Sequence, residues 1–175
     1  MLDLLRFAVS LVLTLGGVFV LISGVVGVFR FPYALSRIHA AALGDTLGAN
    51  FDPSHLFWQG IAPVRAIREL GDAIYFFHAK DTALDSYNVA RNGVLDSKHF
   101  SDVKHRSWVF RTIGYGHDMK VWKDMMSALR VVGYDGPISI EHEDGLMSGE
   151  EGLSKAIRFL HDVLMFEDPG EMYWA

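Results

Sequence analysis

Residues 7–29 form an unbroken apolar run of 23 residues without a single charge. A helix needs roughly 20 residues to cross the hydrocarbon core of a bilayer, so the run predicts one transmembrane α-helix. It is too long for the core of a signal peptide. Gly16, Gly17, Ser23, Gly24 and Gly27 place small residues along it, and Ser23 and Gly27 have the spacing that lets a second helix approach closely. Pro32 ends this helix, and residues 34–43 can form a short second one with Arg37 on its polar face.

From Ala49 the pattern changes to short β-rich runs alternating with amphipathic helices. Residues 49–51 read as the end of an apolar strand. Residues 61–70 read as a helix with Pro63 near its first turn and Val64, Ile67 and Leu70 on one side. Residues 72–77 are the second strand, and a loop of about 38 residues runs from Ala79 to Gly116. Residues 118–132 put Trp122, Met125, Met126 and Leu129 on one helix face, with Gly133 at the C′ position. Residues 137–140 are the third strand. Ser148 and Glu151 make a capping box for a last helix whose inward side is Leu153, Ala156, Ile157, Leu160 and Leu164. Strands alternating with helices imply parallel βα units, an α/β fold.

Charge and composition narrow the chemistry. The net charge is −5, and residues 1–50, with three arginines against two aspartates, carry +1, which leaves −6 on the remainder. An acidic soluble part excludes a nucleic-acid groove. With no cysteine, disulfides, thiolate zinc sites and iron–sulfur clusters are excluded, so any metal must be held by His and carboxylates. Arg30 and Arg37 follow the apolar run while Arg6 precedes it, which leans toward a single-pass membrane protein with its soluble part in the cytoplasm.

In parallel βα units a site forms at the carboxyl ends of the strands. Each strand here ends in a candidate ligand: Asp52 after the first, His78 at the end of the second, Glu141 after the third. A carboxylate, an imidazole and a second carboxylate make an O/N set suited to Mn²⁺, Co²⁺, Mg²⁺ or Zn²⁺. Other polar residues read more simply. Asp118 caps a helix; His142 follows Glu141 on the opposite strand face and packs; His161 is solvated; His99 and His105 belong to a solvated loop run. Trp108 and Arg111 lie in the long loop, and loops of that length often cover active sites.

The segments NFDPSHLFWQG, FHAKDT, WVFRTIGYGHD and VGYDGPISIEHED resemble the xylose-isomerase-like sugar isomerases and epimerases, which are (β/α)₈ TIM barrels. The resemblance covers residues 49–175 and implies the last three βα units of such a barrel. It implies that Asp52, His78 and Glu141 ligate a divalent metal on the sixth, seventh and eighth strands, with Glu141 also in the catalytic acid/base pair. His55, Lys80, Trp108 and Arg111 would bind a small-molecule sugar, with Asp81 beside them. In such enzymes one glutamate removes a proton next to the carbonyl and another returns it through a metal-held enediolate. The strand that supplies the second glutamate has no counterpart here, which implies impaired activity. Missing strands also leave parallel edges that a homo-oligomer or a partner chain would complete.

Arg30-Phe31-Pro32 followed by Arg37, His39 and Ala40 resembles the G-type subunit of the multisubunit monovalent cation/proton antiporters over residues 1–48. Tyr33 stands where that family usually has an aspartate, and its second and third spans have no counterpart. The alternative function is therefore an accessory fragment, like that G-type component, of a Na⁺/proton antiporter. On either reading the chain divides into a membrane part, residues 1–48, and a partial barrel, residues 49–175.

Overall fold

The computed structural model describes residues 6, 10–16, 18–19 and 48–174 of the chain. Most of the apolar run 7–29, and all of residues 34–43, lie outside the described residues; residues 10–16, 18 and 19 are helical. Among the described residues no helix is long and apolar enough to cross a membrane.

Strand β1 (Ala49–Phe51) leads through helix α1 (Pro53–Phe57), helix α2 (Pro63–Leu70) and a 3₁₀ turn (Gly71–Ala73) into β2 (Ile74–Ala79). Then come β3 (Asp81–Leu84), α3 (Ser86–Asn92), β4 (Trp108–Arg111), α4 (Met119–Val131), β5 (Ile138–Ile140) and α5 (Gly149–Val163). Strands β1, β2 and β5 form a parallel sheet in the order β1-β2-β5. The pairing aligns Phe51 with Phe77, and His78 with Ser139. Three consecutive parallel βα steps are therefore present, as the alternation predicts.

The register sorts side chains between two faces, because successive residues of a strand point to opposite sides. Phe51, Phe77 and Ala79 are buried and face the helices. There they meet Ala66, Ile67 and Leu70 of α2, Trp122, Met125, Met126 and Leu129 of α4, and Ala156, Leu160 and Val163 of α5, in one core. Phe51 and Phe77 stack with ring centroids 5.5 Å apart. Residues of the other parity, His78 and Ser139, together with Asp52, Lys80 and Glu141 beyond the strand ends, belong to the opposite face.

The predicted helix ends are reproduced. Asp118 caps α4 by accepting from the Val121 N–H at 3.0 Å, Gly133 follows that helix at φ +74°, and Ser148 caps α5. Two expectations are corrected. The long loop is not irregular throughout: it contains β3, α3 and β4, and β3 pairs antiparallel with β4 from Asp81↔Arg111 to Leu84↔Trp108. The inward side of α5 is Gly152, Ala156, Leu160 and Val163, whereas Leu153 and Ile157 are 47% and 53% exposed. At Gly152 a Cβ would lie 2.2 Å from the His142 ring, so α5 sits close to the chain just past β5 along its glycine.

Candidate functional site

The site is assembled by the carboxyl ends of β1, β2 and β5. Asp52 is held where the chain turns from β1 into α1, accepting a hydrogen bond from the Ser54 N–H at 2.9 Å. Lys80 is the first residue beyond β2 and is 3% exposed. Its ammonium donates to Glu141 Oε1 at 2.7 Å and Glu143 Oε2 at 3.0 Å, and lies 3.2 Å from Asp52 Oδ2. Burial of the ammonium opposes its charge, but the Glu141 and Glu143 hydrogen bonds and the charge of Asp52 outweigh that and raise its pKa above the ordinary lysine value. The other oxygen of Glu141 is 3.1 Å from His78 Nδ1, which is also 3.2 Å from Ser139 Oγ. His55, exposed at the rim, reaches Asp52 Oδ2 at 3.4 Å.

Three carboxylates thus share one ammonium and border two imidazoles. Among the described residues, Lys80 is the lysine or arginine in contact with these three acids, which makes the rim a local attractor for cations. Asp52 and Glu141 already converge on one point of positive charge, and their oxygens with the His78 nitrogen are the donor chemistry a divalent ion takes. Among the described residues no three His, Asp or Glu side chains are gathered into a ready coordination sphere. Lys80 stands at their meeting point instead. The donor set suits a divalent cation; its present arrangement is organised around an amine.

An aromatic wall flanks the cluster. Lys80 Nζ lies 4.4 Å from the centroid of the Phe110 ring, and His55 meets the same ring edge-on at 5.5 Å. Trp108 is buried, stacks on Trp58 at 4.9 Å and donates from its indole to the Val94 carbonyl at 2.9 Å. Arg111 is turned to Asp144 Oδ2, 3.0 Å from its Nε. Burial of Asp144 opposes ionisation, yet N–H donation from Thr112 and Leu146, and then Arg111, lower its pKa.

Asp81, fully buried, holds the β4–α4 loop in place. Its Oδ2 accepts from the N–H groups of Gly114, Gly116 and His117 at 3.1, 3.0 and 2.8 Å and from the Trp122 indole at 3.3 Å. Its Oδ1 meets His117 Nδ1 at 2.8 Å.

Asp52, Lys80 and Glu141 therefore meet directly, with His78 against Glu141 and His55 against Asp52, while Trp108 and Arg111 are tied to other partners. Sequence reasoning missed Glu143 and Ser139. Glu143 was legible by parity, since it lies two residues past Glu141 and so on the same side of an extended chain. Ser139 follows from the register opposite His78, which no local pattern reveals.

Parallel strands covered by helices on one face, with acids, a lysine and imidazoles at their carboxyl ends, define an α/β protein of the barrel type whose site is built on strand termini. Residues 29–163 match the model of the xylose isomerase-like TIM barrel family, and the chain belongs to that family. It is also similar to the uncharacterized protein YfiH of Bacillus subtilis (strain 168), 39% identical over 133 residues, which are 76% of this chain and 42% of that protein. The chain thus spans less than half the length of that relative.

Proposed function

We propose that the chain carries the divalent-cation and sugar-binding rim of a sugar or sugar phosphate isomerase/epimerase, with Glu141 as one acid/base group. The observation that carries this is the convergence of Asp52 and Glu141 on one cationic centre, beside His78, in a cluster with more negative than positive charge. Asp52, His78 and Glu141 would hold a divalent ion such as Mn²⁺, Co²⁺, Mg²⁺ or Zn²⁺. When bound, that ion would polarise the carbonyl and adjacent hydroxyl of the sugar. Glu141 exchanges the proton on the carbon next to the carbonyl; His55 and Lys80 bind hydroxyls, Trp108 backs the Phe110 wall beside them, and Arg111 holds Asp144. A single base returns a proton to the face from which it took it, so exchange with solvent outpaces change of configuration.

Incubating the full chain with Mn²⁺ and a panel of aldoses and ketoses in D₂O tests this. Deuterium should enter beside the carbonyl of at least one sugar, and Glu141→Gln should slow entry by about 10²–10⁴-fold. No incorporation in any sugar, or incorporation that survives Glu141→Gln, contradicts the assignment.

The 23-residue uncharged run supports a single membrane tether at residues 7–29 with the barrel part on the cytoplasmic side. The sheet edges at β1 and β5, each paired on one side only among the described residues, favour a second copy or a partner chain that completes the barrel. The Arg30-Phe31-Pro32 and Arg37-x-His39-Ala40 segments support a second reading, an antiporter accessory fragment. Co-purification with antiporter components after mild solubilisation would favour it, and their absence would count against it.

A further inference from the structure

The residue at the centre of the cluster is not one of the proposed metal ligands but Lys80, and its surroundings are graded. Asp52, 13% exposed in its side chain, and Glu141, 35% exposed, hold the ammonium from the inner side, while Glu143, 49% exposed, holds it from the solvent side. The ammonium touches all three carboxylates at once, and an outward shift on its four-carbon stem would keep Glu143, the most exposed of them, as its partner. A divalent ion and an ammonium cannot both occupy the point shared by Asp52 and Glu141, since like charges that close repel strongly in a partly desolvated site.

We propose that Lys80 is an internal placeholder for the cation. In the cation-free protein it occupies the meeting point of Asp52 and Glu141. A bound divalent ion takes those two carboxylates, and Lys80 withdraws along Glu143 to the rim, where its ammonium is presented to an anionic or hydroxyl-rich substrate. This rests on the divalent-cation reading above and adds an order of events to it: the sugar-binding lysine becomes available only once the ion is in place. The apparent affinity for the ion is then reduced by the fraction of molecules with Lys80 inside.

The test is acylation of Lys80 in the full chain by a water-soluble amine-acylating reagent, read by mass spectrometry with and without Mn²⁺, beside a Mn²⁺ titration of the same preparation. Lys80 is 3% exposed and should acylate slowly when Mn²⁺ is left out. Saturating Mn²⁺ should accelerate its acylation about tenfold if the inner position holds about nine-tenths of the molecules, while the rates at exposed lysines such as Lys120 and Lys123 stay constant. In Glu141→Ala, Mn²⁺ should leave the Lys80 rate unchanged. Lys80→Met should bind Mn²⁺ about tenfold more tightly. Mn²⁺ that binds the wild-type chain and leaves Lys80 as protected as before overturns the placeholder and spares the cation reading. Absence of Mn²⁺ binding to both the wild-type chain and Lys80→Met overturns both.

Discussion

At the scale of single residues, the site depends on buried acids whose partners are specific, and these differ in what they hold. Asp81 holds a loop rather than a ligand. Replacing it with alanine strands the N–H groups of Gly114, Gly116 and His117 and the Trp122 indole, so Asp81→Ala should destabilise the protein by about 3 kcal/mol in a denaturant titration. A loss below about 1 kcal/mol would mean that water replaces those bonds readily. Asp96 is held differently. Burial opposes its ionisation, but the Ser107 and Lys98 N–H groups and the Lys98 ammonium lower its pKa from 3.8 to about 2. A carboxylate whose pKa is depressed on folding stabilises the native state above its unfolded pKa, and that contribution is lost as pH falls through the folded value. Acid unfolding should therefore show a component between pH 3.8 and about 2 that Asp96→Asn removes. An unchanged acid limb in the variant contradicts the assignment. Asp52 and Glu141 were legible from sequence as strand-terminal acids. Lys80 was legible as a polar residue near them, but its central place was not, because it depends on three carboxylates from two distant segments meeting at one point.

At the scale of elements, legibility followed locality. The helix α4, its Asp118 cap and the Gly133 that follows it all rest on interactions within four residues and could be read directly. Asp118→Ala should lower the melting temperature by about 2–4 °C, the equivalent of about 1 kcal/mol in a chain of this size. A shift within error would show that water caps the helix as well as the carboxylate does. The segment from Ala79 to Gly116 was opaque for the opposite reason. Strands β3 and β4 are four residues each, too short for a periodicity to stand out, and their pairing closes over an intervening helix and loop. Helix α5 was read as amphipathic correctly but rotated wrongly. Leu153 and Ile157 look like core residues by type, and only the clearance at Gly152 against His142 reveals that the helix approaches along its glycine.

At the scale of the whole molecule, those two exposed side chains acquire meaning beside the open sheet. Among the described residues β1 and β5 each pair with a strand on one side only, and the aligned region is 42% of the related Bacillus protein. Unpaired parallel edges and an apolar helix face beside them favour association. The chain in mild detergent should sediment as more than a monomer, and Leu153→Glu combined with Ile157→Glu should shift it toward monomer while leaving its circular dichroism unchanged. A wild-type chain that is monomeric at tens of micromolar would contradict this. The family is clear because the residues that carry the resemblance sit on local strand-end motifs. What covers the open sheet edges is a question of surfaces, which sequence patterns describe poorly.

The central claim is that Asp52, His78 and Glu141 take up a divalent cation together. Isothermal titration of the full chain with Mn²⁺, set beside Glu141→Ala, addresses it most directly. One ion should bind per chain, and the variant should bind at least about tenfold more weakly, the change expected from 1.4 kcal/mol of lost interaction. A chain that takes up no Mn²⁺, or a Glu141→Ala isotherm that superimposes on the wild type, would contradict it.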